Sequence, residues 1–263
     1  MALERDDAGA RAARWASRFA DDLQVGIAVV TPLGRDSAER APEDLQEFVD
    51  DAAGAVSSWL SERGMTCEDV EVVDGDFVDG VAARARVDDL VVLAVDDEEG
   101  FTGWALGSDA HKLAHELPCP MVVVPPSAVL DAGAPVVVGV DGTTANRATL
   151  DWAASLASAL HRPVGSVHAT DPVYDTFDNA GNYGVQEAMA RLESAADHAP
   201  IVEAPGEPDE VVREVAHDER AYLTVIGTRD MGSLGGRLLG STADHLLHEP
   251  PGALAIITHD ALG

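Results

Sequence analysis

The sequence predicts an α/β protein made of two tandem doubly wound parallel-sheet (Rossmann-like) domains, and three observations carry that prediction. Short β-branched apolar runs alternate with segments of helical period along the whole chain, the pattern of parallel strands joined by right-handed crossover helices. The chain also repeats itself: at an offset of 133 residues (222 minus 89), 89–125 lies on 222–258 without a gap. Finally, Leu223 to Thr242 reads as a buried strand, a glycine-rich loop and the start of a helix. Unpaired backbone N–H groups and a helix dipole converge at such a place, which makes it a candidate anion site.

The repeat is specific in its detail. Leu90-Val91-Val92-Leu93 covers Leu223-Thr224-Val225-Ile226, and Gly107-Ser108 covers Gly240-Ser241. Ala110 falls on Ala243, Leu113 on Leu246, His115-Glu116 on His248-Glu249 and Pro118 on Pro251. Trp15 meets Trp152 once the offset grows to 137 (152 minus 15), which needs one small indel. Two copies of one unit therefore occupy 1–127 and 134–263, joined between Pro125-Pro126 and Pro135.

In the first copy, helices are expected over 8–23, 43–63, 77–86 and 108–116, and strands over 25–30, 68–73, 90–95 and 121–124. Its opening strand has no counterpart. Projecting the repeat places Met1-Ala2-Leu3-Glu4 on Val138-Gly139-Val140-Asp141, so the first strand of this copy is read as truncated. A sheet wound this way has that strand at its centre, and its loss leaves neighbouring backbone groups to be paired by some other segment. The second copy is complete. Strands are expected over 135–141, 164–169, 200–204, 223–226 and 253–258, and helices over 145–160, 185–199, 209–217 and 241–247. Thr143 or Thr144 can cap the first of these helices, and Ser241 or Thr242 the last. The helix over 145–160 turns Leu150, Ala153, Ala154, Ala157 and Leu160 to one side, and 171–184 is a polar loop that can serve as a lid.

Composition narrows the function classes. The formal net charge is −30, from 47 acidic against 17 basic residues, with Lys112 the single lysine. Such a charge repels nucleic acid and anionic membranes. A hydrophobic share of 46% arranged in clear runs excludes an acidic disordered chain. The charge fits a halophile's protein, because at molar salt the Debye length falls to about 3 Å and self-repulsion is screened. Cys67 and Cys119 lack metal-like spacing and read as reduced, buried cytosolic thiols, and no apolar run approaches the roughly 18 residues of a membrane span.

The strand ending in Asp141, the repeat, and the Gly227-Thr228-Arg229 … Gly240-Ser241 signature resemble the universal stress protein (UspA) family in a tandem two-domain form of haloarchaeal type. The resemblance covers essentially the whole chain. It implies five parallel strands per domain in the order 3-2-1-4-5, with ATP at the switch point between strands one and four. Nucleotide-binding members carry Gly-x2-Gly-x9-Gly-Ser/Thr after strand four. Gly227, Gly240 and Ser241 match that pattern, whereas Asp230 holds the second glycine position. By the same resemblance Asp141 contacts the nucleoside, and Ala169 or Thr170 offers backbone to adenine. Thr228, Arg229 and Thr242 complete the implied ATP site, with Arg237 a second nearby cation and magnesium a bridging ion if Asp230 faces the phosphates. The resemblance also implies that the last strands, 121–124 and 253–258, pair across an intramolecular pseudo-dimer, and that two chains can form a homodimer.

The first copy reads as degenerate. Ala94, Asp97, Gly107 and Ser108 hold the signature positions, and Asp96-Asp97-Glu98-Glu99 places four carboxylates where a triphosphate would lie. Other constellations favour structural explanations. His111 and His115, or His245 and His248, share helix faces but lack a third ligand of matching spacing, so no metal is assigned. Ser166, His168 and Asp171 make a triad on paper without a nucleophile elbow, and no catalytic residue is assigned. Trp15 and Trp152 are expected in the core. The expected function is a cytoplasmic, non-enzymatic stress-response module binding ATP in its C-terminal half. A nucleotide-free protein–protein scaffold is the alternative, with its protein partner unidentified, and an adenine-nucleotide hydrolase is the weaker one.

Overall fold

The computed structural model describes residues 7–32, 42–73, 76–94, 106–141, 144–170, 190, 198–228 and 239–258. The first half contains α1 (Asp7–Leu23), β1 (Ala28–Pro32), α2 (Pro42–Ser61), β2 (Asp69–Val73), α3 (Phe77–Ala82), β3 (Val91–Ala94), α4 (Leu106–Glu116) and β4 (Met121–Val124). The second contains β5 (Val136–Gly139), α5 (Thr144–Ala159), β6 (Val164–Thr170), β7 (His198–Pro205), α6 (Pro208–Asp218), β8 (Leu223–Gly227), α7 (Ser241–His248) and β9 (Leu254–Ile257).

One seven-stranded sheet runs through both halves in the order β3-β4-β9-β8-β5-β6-β7. The five strands of the second half are all parallel neighbours, and in their own chain order they lie 3-2-1-4-5. The halves join where β4 and β9 pair antiparallel, Met121 opposite Ile256, Val122 opposite Ala255 and Val123 opposite Leu254. Val122 and Ala255 are repeat equivalents, so a local two-fold axis passes between them. This junction covers two sheet edges that would otherwise present unpaired backbone. In the first half β1 and β2 form a separate parallel pair. Among the described residues no strand stands between β1 and β3, and α1 packs against β3 and β4. Residues 1–6, where the repeat projects the opening strand, lie outside the described residues.

Strand alternation sorts the core into two layers. Val122, Val124, Val136, Val138, Val140, Leu223, Val225, Ala255 and Ile257 face the layer closed by α1 and α5. Met121, Val123, Val137, Ile226, Leu254 and Ile256 face the layer closed by α3, α4, α6 and α7. Helices on both faces of a mostly parallel sheet are what the continuous apolar strands require. Trp15 is fully buried and stacks on Phe19 at 4.9 Å and on Tyr222 at 5.3 Å, joining α1 of one half to β8 of the other. The connection between the halves is held from both sides: Arg18 donates to the Leu130 carbonyl at 2.8 Å, and Arg162 reaches the carbonyls of Asp131, Ala132 and Ala134.

Several local expectations are corrected. Residues 198–199 begin β7 rather than ending a helix, because pairing with β6 claims them. Residues 25–27 precede β1, and Gln24, at φ 57°, is the turn that ends α1. The helix expected to reach residue 86 stops at Ala82, although Asp76 caps its start by accepting from the Val78 and Asp79 N–H groups. Trp152 and Cys67 are half-buried rather than core, whereas Cys119 is buried. The expected loop over 171–184, and the helix over 185–199 up to residue 197 save residue 190, lie outside the described residues.

Buried ionisable groups give one testable consequence. Burial, reinforced by the Asp89 charge, pushes the Cys119 thiol from 9.0 up to about 11, and burial pushes the Tyr222 phenol from 10.0 up to about 12. Native structure holds both groups protonated. Their stabilisation is therefore complete below pH 9 and is lost as pH rises through 11 for Cys119 and through 12 for Tyr222. The urea midpoint is expected to fall between pH 9 and 11, and to fall less steeply in Cys119→Ala. A thiol reagent at pH 8 is expected to label Cys67 in the native protein and Cys119 only on unfolding; equal labelling rates would contradict this burial.

Candidate functional site

The strand order reverses between β5 and β8: β5 leads to β6 and β7 on one side, and β8 to β9 on the other. Crevices of this kind, beyond the carboxyl ends of parallel strands, are where open α/β sheets take ligands. Asp141 follows the end of β5, at the carboxyl edge of the sheet, and is exposed. The backbone beneath it is fixed. The Val140 N–H donates to the Val167 carbonyl at 2.9 Å, and the Asn146 amide of α5 donates to the Gly139 carbonyl at 3.0 Å.

On the β6 side, Ala169 and Thr170 are half-buried and pair with Ala204 and Pro205 of β7. His168 turns its Nδ1 to the Val140 carbonyl at 2.7 Å. A carbonyl only accepts, so Nδ1 carries a proton and donates. This bond commits His168 to β5 rather than to Ser166, whose hydroxyl is fully buried. The paper triad of Ser166, His168 and Asp171 is not assembled as a nucleophile and base, and Asp171 lies outside the described residues.

On the β8 side the structure separates packing from ligand chemistry. A Cβ on Gly227 would stand 2.5 Å from the Thr149 hydroxyl, so α5 approaches closely here and a larger residue would force the Thr149 side chain to shift. At Gly139, at the end of the neighbouring strand, a Cβ would meet only the terminal methyl of Ile226, which can turn aside. The Thr228 N–H donates to the Ile257 carbonyl at 2.9 Å, which leaves the Thr228 side chain, not its amide, for a ligand. Arg229, Asp230 and Arg237 lie outside the described residues, as do Asp96 to Glu99 of the first copy.

Helix α7 corrects the expected cap. Gly240 is the N-cap, extended at φ −64° and ψ 156°, and Ser241 and Thr242 already belong to the first turn. Gly240 has no side chain to cap this helix end. The free N–H groups and dipole of the first turn of α7 are a feature that favours an anion. In the first copy α4 begins at Leu106, so Gly107 and Ser108 are inside the helix and not at its mouth. Sequence reasoning passed over Asn146 and Thr149 and weighed His168 only as a triad member, whereas Asn146 and His168 hydrogen-bond the end of β5 and Thr149 packs on Gly227. Position signalled only His168, near the end of β6; Asn146 and Thr149 lie within α5 and are brought to β5 and β8 by packing.

Comparison with known proteins bears on the whole chain. The model of the universal stress protein family matches residues 1–125 and, a second time, 134–257. The chain belongs to the universal stress protein family. A universal stress protein of Mycolicibacterium smegmatis is 33% identical over 142 residues, 48% of this chain and 48% of that protein. Universal stress protein Rv2623 of Mycobacterium tuberculosis is 22% identical over 268 residues, covering 93% of this chain and 90% of the relative. The crystal structure of a universal stress protein from Archaeoglobus fulgidus shares the fold with a TM-score of 0.72 at 17% identity, over 98% of this chain and 97% of that one. Both halves of this chain are therefore universal stress protein domains. Among the described residues no helix is long and apolar enough to cross a membrane.

Proposed function

We propose that this universal stress protein is a regulatory stress-response module whose C-terminal half binds an adenine nucleotide, ATP foremost. The supporting observation is the uncapped N-terminus of α7, at Gly240, set beyond β8 at the switch point, with Asp141 exposed at the end of β5. In this reading Asp141 takes the nucleoside, Ala169 backbone meets adenine, and Gly227, the Thr228 side chain, Arg229, Gly240, Ser241 and Thr242 surround the phosphates. Magnesium bridges the phosphates to Asp230. The two domains extend over 1–127 and 134–263, and the first serves as a structural partner. Among the described residues of β5, β6 and β8 no nucleophile is paired with a base, which favours a binding role over an enzymatic one. The net charge of −30 supports a cytoplasmic life in molar salt, as in a haloarchaeon.

A scaffold without nucleotide is the second reading, favoured by the Thr228 N–H being taken up by Ile257 and by Gly227 having a packing role against Thr149. Calorimetry with ATP in molar KCl, with and without Mg²⁺, separates the two. The expected result is weak wild-type binding that Gly240→Asp abolishes, since it sets a carboxylate at the helix mouth. Absence of binding in both the wild type and Asp230→Gly would leave the scaffold reading standing.

A further inference from the structure

A second polar cluster lies on the opposite side of the sheet junction, where α4 meets α7. Asp244 and His248 are one helical turn apart on α7 and share a face, the spacing at which helices present two metal ligands. His111 of α4 comes to them from the other half of the chain. Its Nε2 lies 2.7 Å from Asp244 Oδ1, and its ring centroid is 4.8 Å from that of His248. One ligand atom from each of the three side chains lies within 4.8 Å of the other two. His111 and Asp244 are 133 residues apart, so they are repeat equivalents that meet near the local two-fold axis. The pairing of His spacings within one helix could not reveal this third ligand.

We propose that His111, Asp244 and His248 form a binding site for one divalent transition-metal ion of the zinc class, joining the two halves of the chain. Two imidazoles and one carboxylate suit zinc, cobalt, nickel or copper and disfavour magnesium and calcium, which take oxygen ligands. Zinc held by nitrogen and oxygen at about 2.0–2.2 Å sets tetrahedral ligand atoms roughly 3.3 Å apart. The His111–Asp244 pair must open by about half an ångström and the widest separation must close by about one and a half. His248 is exposed at the end of α7 and Asp244 is 44% exposed, so both have room to turn. The fourth position is left for water, as in open zinc sites. The C-terminal carbonyls of α7 beside His248 favour a cation there.

The test uses the full chain after treatment with chelator, titrated with Zn²⁺ in molar KCl and followed by calorimetry and thermal unfolding. One zinc per chain is expected, with a melting rise of roughly 5–10 °C at a hundredfold excess over Kd. His248→Ala, at an exposed position that the fold does not need, is expected to weaken binding at least tenfold, and Asp244→Asn and His111→Ala likewise. Cobalt(II) is expected to give the visible absorption of a tetrahedral site in the wild type and not in His248→Ala. Magnesium is expected to give no such shift. No zinc-dependent shift in the wild type would overturn the site, leaving only an ion pair. Equal zinc uptake by wild type and His248→Ala would also overturn it, as adsorption to an acidic surface.

Discussion

Arg162→Met is expected to lower stability by about 3–5 kcal/mol, the range seen when one partner is removed from a buried charged network. The Arg162 side chain is 4% exposed, and its guanidinium lies 3.5 Å from the Tyr222 ring centroid. One of its nitrogens contacts the carbonyls of Asp131, Ala132 and Ala134 at 2.7, 3.0 and 3.1 Å. Two hydrogens serve three acceptors, so these do not count as three full bonds. Charge-assisted bonds of this type contribute about 1.5–3 kcal/mol each, and a desolvated cation–π contact about 2. Asp22, 3.8 Å away and 45% exposed, adds little, and Asp22→Asn is expected to cost under about 1 kcal/mol. Methionine preserves length and apolar stem but leaves the linker carbonyls without their donor. Lysine restores charge without the planar fork and is expected to recover only part of the loss. Urea unfolding reads both, and a methionine variant within about 1 kcal/mol of wild type would refute this role of the linker clamp.

How far the sequence carried depended on the range of the forces involved. The strands β4, β5, β8 and β9 were legible because each is a β-branched run buried on both faces, and no neighbouring chemistry competes with that signal. The β4–β9 junction was likewise anticipated through the family resemblance. The start of β7 was not, because His198 and Ala199 have no apolar pattern and are strand only through pairing with β6. Ser241 was read as a cap from residue type alone, whereas the backbone turns one residue earlier, at Gly240. Gly227 was read for phosphate, yet it also makes room for Thr149; the two roles are indistinguishable in one dimension. Trp15 and Trp152 share a repeat position but not an environment: Trp15 is fully buried and stacks on Tyr222 of the other half, whereas Trp152 is half-buried. The meeting of His111, Asp244 and His248 was not legible. His111 is distant in sequence from the other two, and spacing within single helices does not bring it to them. The repeat nevertheless held the clue. Once β4 and β9 pair about a two-fold axis, equivalent positions near that axis must face each other, and residues 111 and 244 are such a pair.

Asp230→Gly is expected to raise ATP affinity 30- to 1,000-fold, the largest functional effect of any single change in this chain. The family's glycine position here carries a carboxylate. At an effective dielectric near 20, a carboxylate 4 Å from a phosphate charge costs about 4 kcal/mol, and one at 8 Å costs about half as much. The N-terminus of α7 returns only about 0.3–1 kcal/mol, or up to about 2 in a partly buried site. Repulsion therefore exceeds the helix contribution over most of that range, and wild-type binding is expected to be weak. Three controls separate charge from shape. Asp230→Asn removes the charge but keeps the bulk, so it is expected to recover most of the gain. Raising KCl is expected to narrow the gap between wild type and variant, because screening weakens the repulsion. Magnesium is expected to strengthen wild-type binding more than variant binding, since a divalent cation can neutralise a carboxylate and a phosphate together. If both Asp230→Gly and Asp230→Asn bind ATP within twofold of wild type, the carboxylate does not face the phosphates and the weakness of the site must come from elsewhere. If neither binds at all, the loop is packing and the nucleotide reading fails with it.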